Sequence, residues 1–312
     1  MTLTRSLSLL LFLVVALARP AFATADALYG TYVVQEGEAL HDIAIHQKLG
    51  FLELKTANPD VDHWVPEPGS TIILPNVHML PKQMDDGIVV NLAAMRMFRF
   101  EGGRVTATFP IGVGRDGRET PRGVTTVVRK KSQPTWYPTD NIRRDKPHLP
   151  KVVPPGPENP LGTHALYLGW PTYLLHGTDN DYGIGRRVSA GCLRMYNDDV
   201  EALFGAVPVG TKVEVLEQRV MAEVYGGRLY VEAHPTAAGW DALELGEPRP
   251  EGRLEDEHVK LITAAAPPGM FIDWDAVARV IAEERGYPIA VSPTPRIADT
   301  GPQPLAPINL TQ

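Results

Sequence analysis

Hydrophobic positions change period several times along the chain. An apolar run covers residues 7–18 behind one basic residue, Arg5. Residues 32–34 form a short apolar run that predicts a strand. Leu40, Ile43 and Ala44 then fall at helical spacing within 39–48. A second helix is predicted over 50–57, ending at Asn58-Pro59, and 71–74 reads as a closing strand behind Pro68-Gly69. From Gly87 onward the pattern becomes short β-runs. Strands are predicted at 88–91, 96–100, 105–111, 124–129, 165–168, 173–175 and 212–216, with a helix over 197–204 that has acidic residues in its first turn. The proline-dense stretch 134–160 predicts a long ordered loop. Gly226-Gly227 between 220–224 and 228–233 predicts a hairpin, and helical periodicity recurs over 254–265 and 274–286. The fold class is therefore mainly β. A β-sandwich or open barrel over 87–216 follows a small α+β (βααβ) module at 31–76, and a hairpin-plus-helices extension occupies 217–291. Residues 292–312, rich in proline and poor in bulky apolar groups, are expected to be a disordered tail.

Composition sharpens this picture in two places. The first 23 residues, with the apolar run and Ala21-Phe22-Ala23, read as a cleaved export signal, because the run is short for a bilayer span of about 20 residues. Localisation in the periplasm and no stable membrane insertion follow. Removing residues 1–23 takes away Arg5 and Arg19, leaving 28 basic against 37 acidic residues, a net charge of −9. That balance argues against nucleic acid or an anionic membrane as partner. The charge is uneven. Residues 115–151 hold ten Lys/Arg against four Asp/Glu, whereas 217–312 hold fifteen acidic against eight basic. A basic stretch just upstream of the candidate site suits a substrate rich in carboxylates.

The candidate chemistry lies in 174–200. Cys192 is the only cysteine of the chain, so it forms no internal disulfide, and a free thiol in an exported protein points to a reactive one. A thiol of pKa about 8.5 needs a base to act as a nucleophile at neutral pH. His176, sixteen residues upstream in a glycine-rich setting, can supply it. Backbone N–H groups of Gly191 and Cys192 are candidate oxyanion donors. Ser189 is a candidate to orient that turn, and the Gly177 carbonyl or Thr178 a candidate to fix the imidazole. Arg194, two residues past the thiol, is a candidate carboxylate ligand, with an ion pair to Asp198 or Asp199 as the alternative. His164, Tyr182, Trp136 and Tyr137 are candidate cleft residues, with structural hydrogen bonding or core packing as their alternatives. Metal-ligand spacing and a nucleotide fingerprint are both missing from the sequence, so no metal and no cofactor are expected.

The run His176-Gly177, then Ser189, then Gly191-Cys192-Leu193-Arg194 resembles the active-site motif of the L,D-transpeptidases (YkuD-type catalytic domain). The resemblance extends from about Gly87 to Val215 and takes in 109–123, 134–138 and 152–170. Many members carry histidine where this chain has Ala190, so His176 stands alone as the base. The resemblance implies a cysteine enzyme acting on peptidoglycan tetrapeptide stems through a thioester, with a diaminopimelate amine or the lysine of an anchored lipoprotein as acceptor. A hydrolase or L,D-carboxypeptidase on the same Cys–His pair, or a non-catalytic wall-binding protein, are the alternatives. Residues 32–75 resemble a LysM module, a binder of N-acetylglucosamine chains, through Tyr32-Val33-Val34, Gly37, Leu40, Ile43, Ala44, Asn58-Pro59 and the 69–75 end. Glu38-Ala39 and an insertion at Asp62-His63-Trp64 depart from that pattern. Deleting 32–75 is then expected to impair action on intact sacculi more than on soluble muropeptides.

Overall fold

The computed structural model describes residues 27–294. The expected export signal lies outside the described residues, as does the expected tail beyond its first three residues, 292–294.

The β-α-α-β order of the first unit is present. Strands β1 (Gly30–Val33) and β2 (Thr71–Leu74) pair antiparallel around helices α1 (Leu40–His46) and α2 (Phe51–Ala57). Helix α1 forms because Leu40, Ile43 and Ala44 share one buried face. Helix α2 starts where the Glu53 carboxylate accepts the Gly50 N–H at 2.9 Å. It stops at Asn58, whose amide donates to the carbonyls of Leu54 and Ile73 and whose oxygen accepts the Ile73 N–H, tying helix end to β2.

The second unit is a curled, half-open sheet. Its strands are β3 (Gly87–Asn91), β4 (Arg96–Glu101), β5 (Arg104–Pro110), β7 (Gly123–Ser132), β8 (His164–Leu168), β9 (Leu174–His176), β11 (Leu193–Arg194) and β12 (Lys212–Leu216). They lie in the order β11-β9-β8-β7-β12-β3-β4-β5, antiparallel except for β11–β9 and β12–β3. Two short strands, β6 (Val113–Gly114) and β10 (Arg187–Ser189), pair in parallel beside it. Helix α4 (Asn197–Ala206) packs Val200 and Leu203 onto the face that carries Val127, Leu166, Leu175 and Leu193. Leu40, Leu52 and Leu54 of the first unit belong to the same continuous core. The stretch expected to be loop contains one short helix, α3 (Asp140–Asp145), started by Thr139. It buries no residue, so its sequence carries no apolar period to read.

The third unit contains the expected hairpin, β13 (Val220–Tyr225) and β14 (Arg228–Ala233), turned by Gly226 and Gly227, both at positive φ. A third strand, β15 (Ile289–Ala290), joins β14. The two expected helices are α6 (Asp256–Ala265) and α7 (Trp274–Glu283), and α5 (Ala237–Leu245) is additional. Helix α5 docks on the sheet unit through buried Trp240, whose indole N–H donates to the Ala93 carbonyl at 2.9 Å.

Candidate active site

Strand alternation divides the β7–β8–β9–β11 end of the sheet into two faces. Leu166, Leu175 and Leu193 point into the core. The opposite face presents two rows that run across the strands. In one row Lys131 pairs with Ala165, Ala165 with His176, and His176 with Arg194. In the other Arg129 pairs with Tyr167 and Tyr167 with Leu174. Cys192, one position before β11, continues that second row beside Leu174. The parity of β7 depends on an irregularity between Val127 and Arg129. Val127 is in the core, yet Arg129, two residues on, lies on the cleft face, because the extra residue resets the alternation. Lys130 accordingly turns to the other face and donates to the carbonyls of Phe204 and Val207 at the end of α4.

The rows form the floor of a cavity of about 520 Å³ lined by His176, Ser189, Ala190, Cys192 and Arg194, with Trp136, Tyr137 and Thr139 on one wall. His176 is buried, and its Nδ1 lies 2.6 Å from the Gly177 carbonyl oxygen. A carbonyl only accepts, so Nδ1 carries the proton and Nε2 keeps its lone pair. Burial, and next the Arg194 guanidinium, hold the imidazole well below its usual value, at about 3, although the Gly177 contact opposes this. Cys192 is half-buried, and its thiol donates to the Thr172 carbonyl at 3.4 Å. Burial pushes the thiol above its ordinary pKa, against a backbone contact at Leu174 and the charge of Arg194. The resting pair is thus neutral thiol and neutral imidazole, the protonation states that general-base activation requires. Thr172 holds its carbonyl there from φ +72°, a left-handed backbone that a β-branched residue seldom adopts.

The turn that presents the thiol is built from its own neighbours. Ser189 Oγ accepts the Gly191 N–H at 3.0 Å and donates to the Cys192 carbonyl at 2.6 Å. Thr120 Oγ1 donates to the Gly191 carbonyl at 2.9 Å and accepts the Gly114 N–H. Gly191 has φ +105°, and a Cβ there would come within 2.6 Å of the Tyr173 ring, so both conformation and space require glycine.

The sequence model described as the L,D-transpeptidase catalytic domain matches residues 85–215. The probable L,D-transpeptidase ErfK/SrfK of Salmonella typhimurium is 38% identical over 268 residues, covering 82% of this chain and 83% of the relative. The chain belongs to the L,D-transpeptidase family. The probable L,D-transpeptidase YcfS of Escherichia coli is 46% identical over 213 residues, covering 65% of this chain and 66% of that protein. Among solved structures, the catalytic domain of the E. faecium L,D-transpeptidase matches at 25% identity with a TM-score of 0.35, covering 43% of this chain and 98% of that domain. This protein is accordingly an enzyme, an L,D-transpeptidase.

Against that family, the expected site residues divide. The structure gathers Cys192, His176, Arg194, Ser189 and Trp136 around one cavity. Gly177 contacts the imidazole through its carbonyl and has no room for a side chain, since a Cβ would meet Asn197 Oδ1 at 2.2 Å. His164 is not on the cavity. It starts β8 with the opposite parity to Ala165, contacts Thr163 Oγ1 at 3.1 Å and packs on the Phe204 ring of α4. Tyr182 also lies elsewhere, stacked on His41 of α1 with ring centroids 3.6 Å apart. Among the described residues Arg194 forms an ion pair with neither Asp198 nor Asp199, and Asp198 instead faces Lys48 at 3.2 Å. The expected oxyanion donors are also redistributed, since Gly191 N–H is already bound by Ser189. Sequence reading missed Arg129, Lys131, Thr172, Thr120 and Asn197. Asn197 Oδ1 accepts the N–H groups of Thr163 and Thr178 and its amide donates to the Thr178 carbonyl, bracing the segment after His176. No periodicity marks such a residue. For Arg129 and Lys131 the signal is the basic stretch 115–151 as a whole; within the consecutive run Arg129-Lys130-Lys131 nothing local says which side chains face the cleft.

Proposed function

We propose that this enzyme acts through Cys192 and His176 on peptidoglycan tetrapeptide stems in the bacterial envelope. His176 Nε2 takes the thiol proton, and the sulfur attacks the carbonyl of the L-centre of diaminopimelate. A tetrahedral intermediate forms, and the Cys192 N–H is the backbone donor nearest its oxyanion. The amine of the terminal D-alanine leaves with the proton held by His176, and a thioester remains. A second amine then attacks the thioester and gives a proton to His176, and the thiolate departs and takes that proton back from the imidazole as the tetrahedral intermediate collapses. The acceptor is another diaminopimelate side chain or the lysine of a lipoprotein. Arg194 binds a carboxylate of the stem. The observation that carries this reading is the imidazole tautomer: the Nδ1 contact to Gly177 leaves Nε2 as a base beside the cleft that holds the thiol.

The export signal read in residues 1–23 supports a periplasmic location for the mature enzyme. Among the described residues no helix is long and apolar enough to cross a membrane. The first unit is read as LysM-like, holding glycan near the cleft, on its β1-α1-α2-β2 order and antiparallel strand pair. Incubation with a purified disaccharide-tetrapeptide, with Cys192→Ala alongside, tests the reaction by product mass. A dimer lacking one alanine is expected. A shortened monomer would instead identify an L,D-carboxypeptidase. No change with the folded protein, together with no covalent adduct from a carbapenem on Cys192, would leave only a wall-binding role.

A further inference from the structure

Five of the ten basic residues of the stretch 115–151 are engaged away from the cleft. Arg115 and Arg118 share Asp145, Arg122 faces Glu217, Arg143 faces Asp140, and Lys130 caps the end of α4. Arg129 and Lys131 differ. Both line the cavity, neither has an ion pair among the described residues, and no Asp or Glu lines that cavity. The Arg129 guanidinium lies over the Tyr167 ring, 3.6 Å from its centroid, which holds the planar fork while leaving its edge free for two parallel hydrogen bonds. Two exposed cations in an otherwise acid-free cleft favour an anion, and a bidentate guanidinium favours a carboxylate.

Their place in the sheet sets the distance. Each cation begins a row that ends three strands away at Cys192 or Arg194. Three strand spacings make about 14 Å between the β7 and β11 backbones, which an extended peptide crosses in about four residues. The long side chains of Arg129 and Lys131 shorten that to about two residues. We propose that Arg129 and Lys131 form a carboxylate-binding subsite, selecting peptide substrates that carry a free carboxylate about two residues from the carbonyl attacked by Cys192. This rests on the acyl-transfer reading of the cleft and adds a specificity element to it, distinct from Arg194 beside the thiol.

The test uses the full chain and a matched pair of peptides, one with the free acid at that position and one with the primary amide. On Cys192→Ala protein, calorimetric titration is expected to show the acid binding about tenfold or more tightly than the amide. Adding R129Q and K131Q brings the ratio close to one and leaves amide affinity unchanged; both residues are exposed, and an unchanged melting temperature checks that the fold is kept. With the thiol intact, the same pair of substitutions raises KM for the acid without lowering kcat. Equal binding of acid and amide by the parent protein, or a preference that survives both substitutions, overturns the subsite. Acyl transfer to both peptides with no acid preference sinks the subsite alone. An acid preference that R129Q and K131Q abolish, with no thioester on Cys192 of the parent protein, sinks the acyl-transfer reading and leaves the subsite standing.

Discussion

At the scale of single residues, the proposed nucleophile and base are tuned against spontaneous ion-pair formation. His176 is held near 3 and the Cys192 thiol above its ordinary value, so the thiolate–imidazolium pair is the minor form at every pH. Reactivity then depends on proton transfer during attack. Alkylation of Cys192 by iodoacetamide should therefore rise with pH to a midpoint above about 8.5, the usual thiol value, instead of levelling near neutrality. A plateau beginning near pH 6 would show a pre-formed thiolate. His176→Gln keeps the size and a donor toward Gly177 but removes the base, and should cost about 10²–10⁴ in kcat for thioester formation with little change in melting temperature. The same imidazole links stability to acidity. Its folded pKa lies below its unfolded value of about 6.5, so the unfolded chain binds the proton first. Its contribution to stability is complete above that value and is lost as pH falls from there toward about 3.

At the scale of elements, the ends of α2 and β7 do more than their sequences advertise. Helix α2 begins against the catalytic sheet unit, with the Phe51 and Leu52 N–H groups donating to the carbonyls of Ile184 and Gly185. Glu53 of its first turn meets Arg96 of β4, with oxygens 2.7 and 2.8 Å from Nη2, both side chains almost fully buried. Breaking such a pair strands a buried cation. Glu53→Ala should destabilise the protein by about 3–5 kcal/mol in urea denaturation. Replacing both partners, as in Glu53→Met with Arg96→Met, should recover most of that loss. An equal loss in the double variant would mean that other interactions of these residues dominate. In β7 the Val127–Arg129 irregularity decides which cations reach the cleft. Counting alternate residues from Val127 would have left Arg129 in the core.

At the scale of the molecule, the three units are not beads on a string. Leu40, Leu52 and Leu54 share one core with Ile88, Val90 and Met97 of the sheet, and Trp240 of α5 belongs to it as well. Deletion of residues 32–75 would open that core, so it would impair sacculi and soluble muropeptides alike for reasons unrelated to glycan. A surface substitution is the cleaner probe. Trp64 lies in the α2–β2 loop at 65% exposure, beside Val65 at 74%. Its loop is held by Asp62, which accepts the Trp64 and Val65 N–H groups, and by the His63 carbonyl, which accepts the Leu40 N–H. If the first unit holds glycan, Trp64→Ala should weaken sacculus pull-down about tenfold, about 1.4 kcal/mol, while turnover of a soluble muropeptide stays unchanged. Unaltered pull-down would remove Trp64 from any glycan contact.

The sequence by itself determined what depends on local period and on residue chemistry. The β-α-α-β order, most of the strands of the large sheet, the Gly226-Gly227 hairpin and α6 and α7 could all be read, because each has an apolar repeat or a turn residue of its own. So could the segment holding Cys192 and His176, because a lone thiol in a Gly-rich motif is chemically conspicuous. Only the tertiary structure decided the rest. The two-residue strands β6 and β11 are too short to show alternation, yet β11 sets Arg194 opposite His176. His164 turned away from the cleft and Arg129 into it because strand parity, including one irregular residue in β7, fixes the direction of a side chain whatever its chemistry. Tyr182 and Trp240 found their partners across unit boundaries. The imidazole is depressed by burial and by Arg194, and the thiol is raised by burial against the pull of Arg194; both are properties of packing that no stretch of sequence contains.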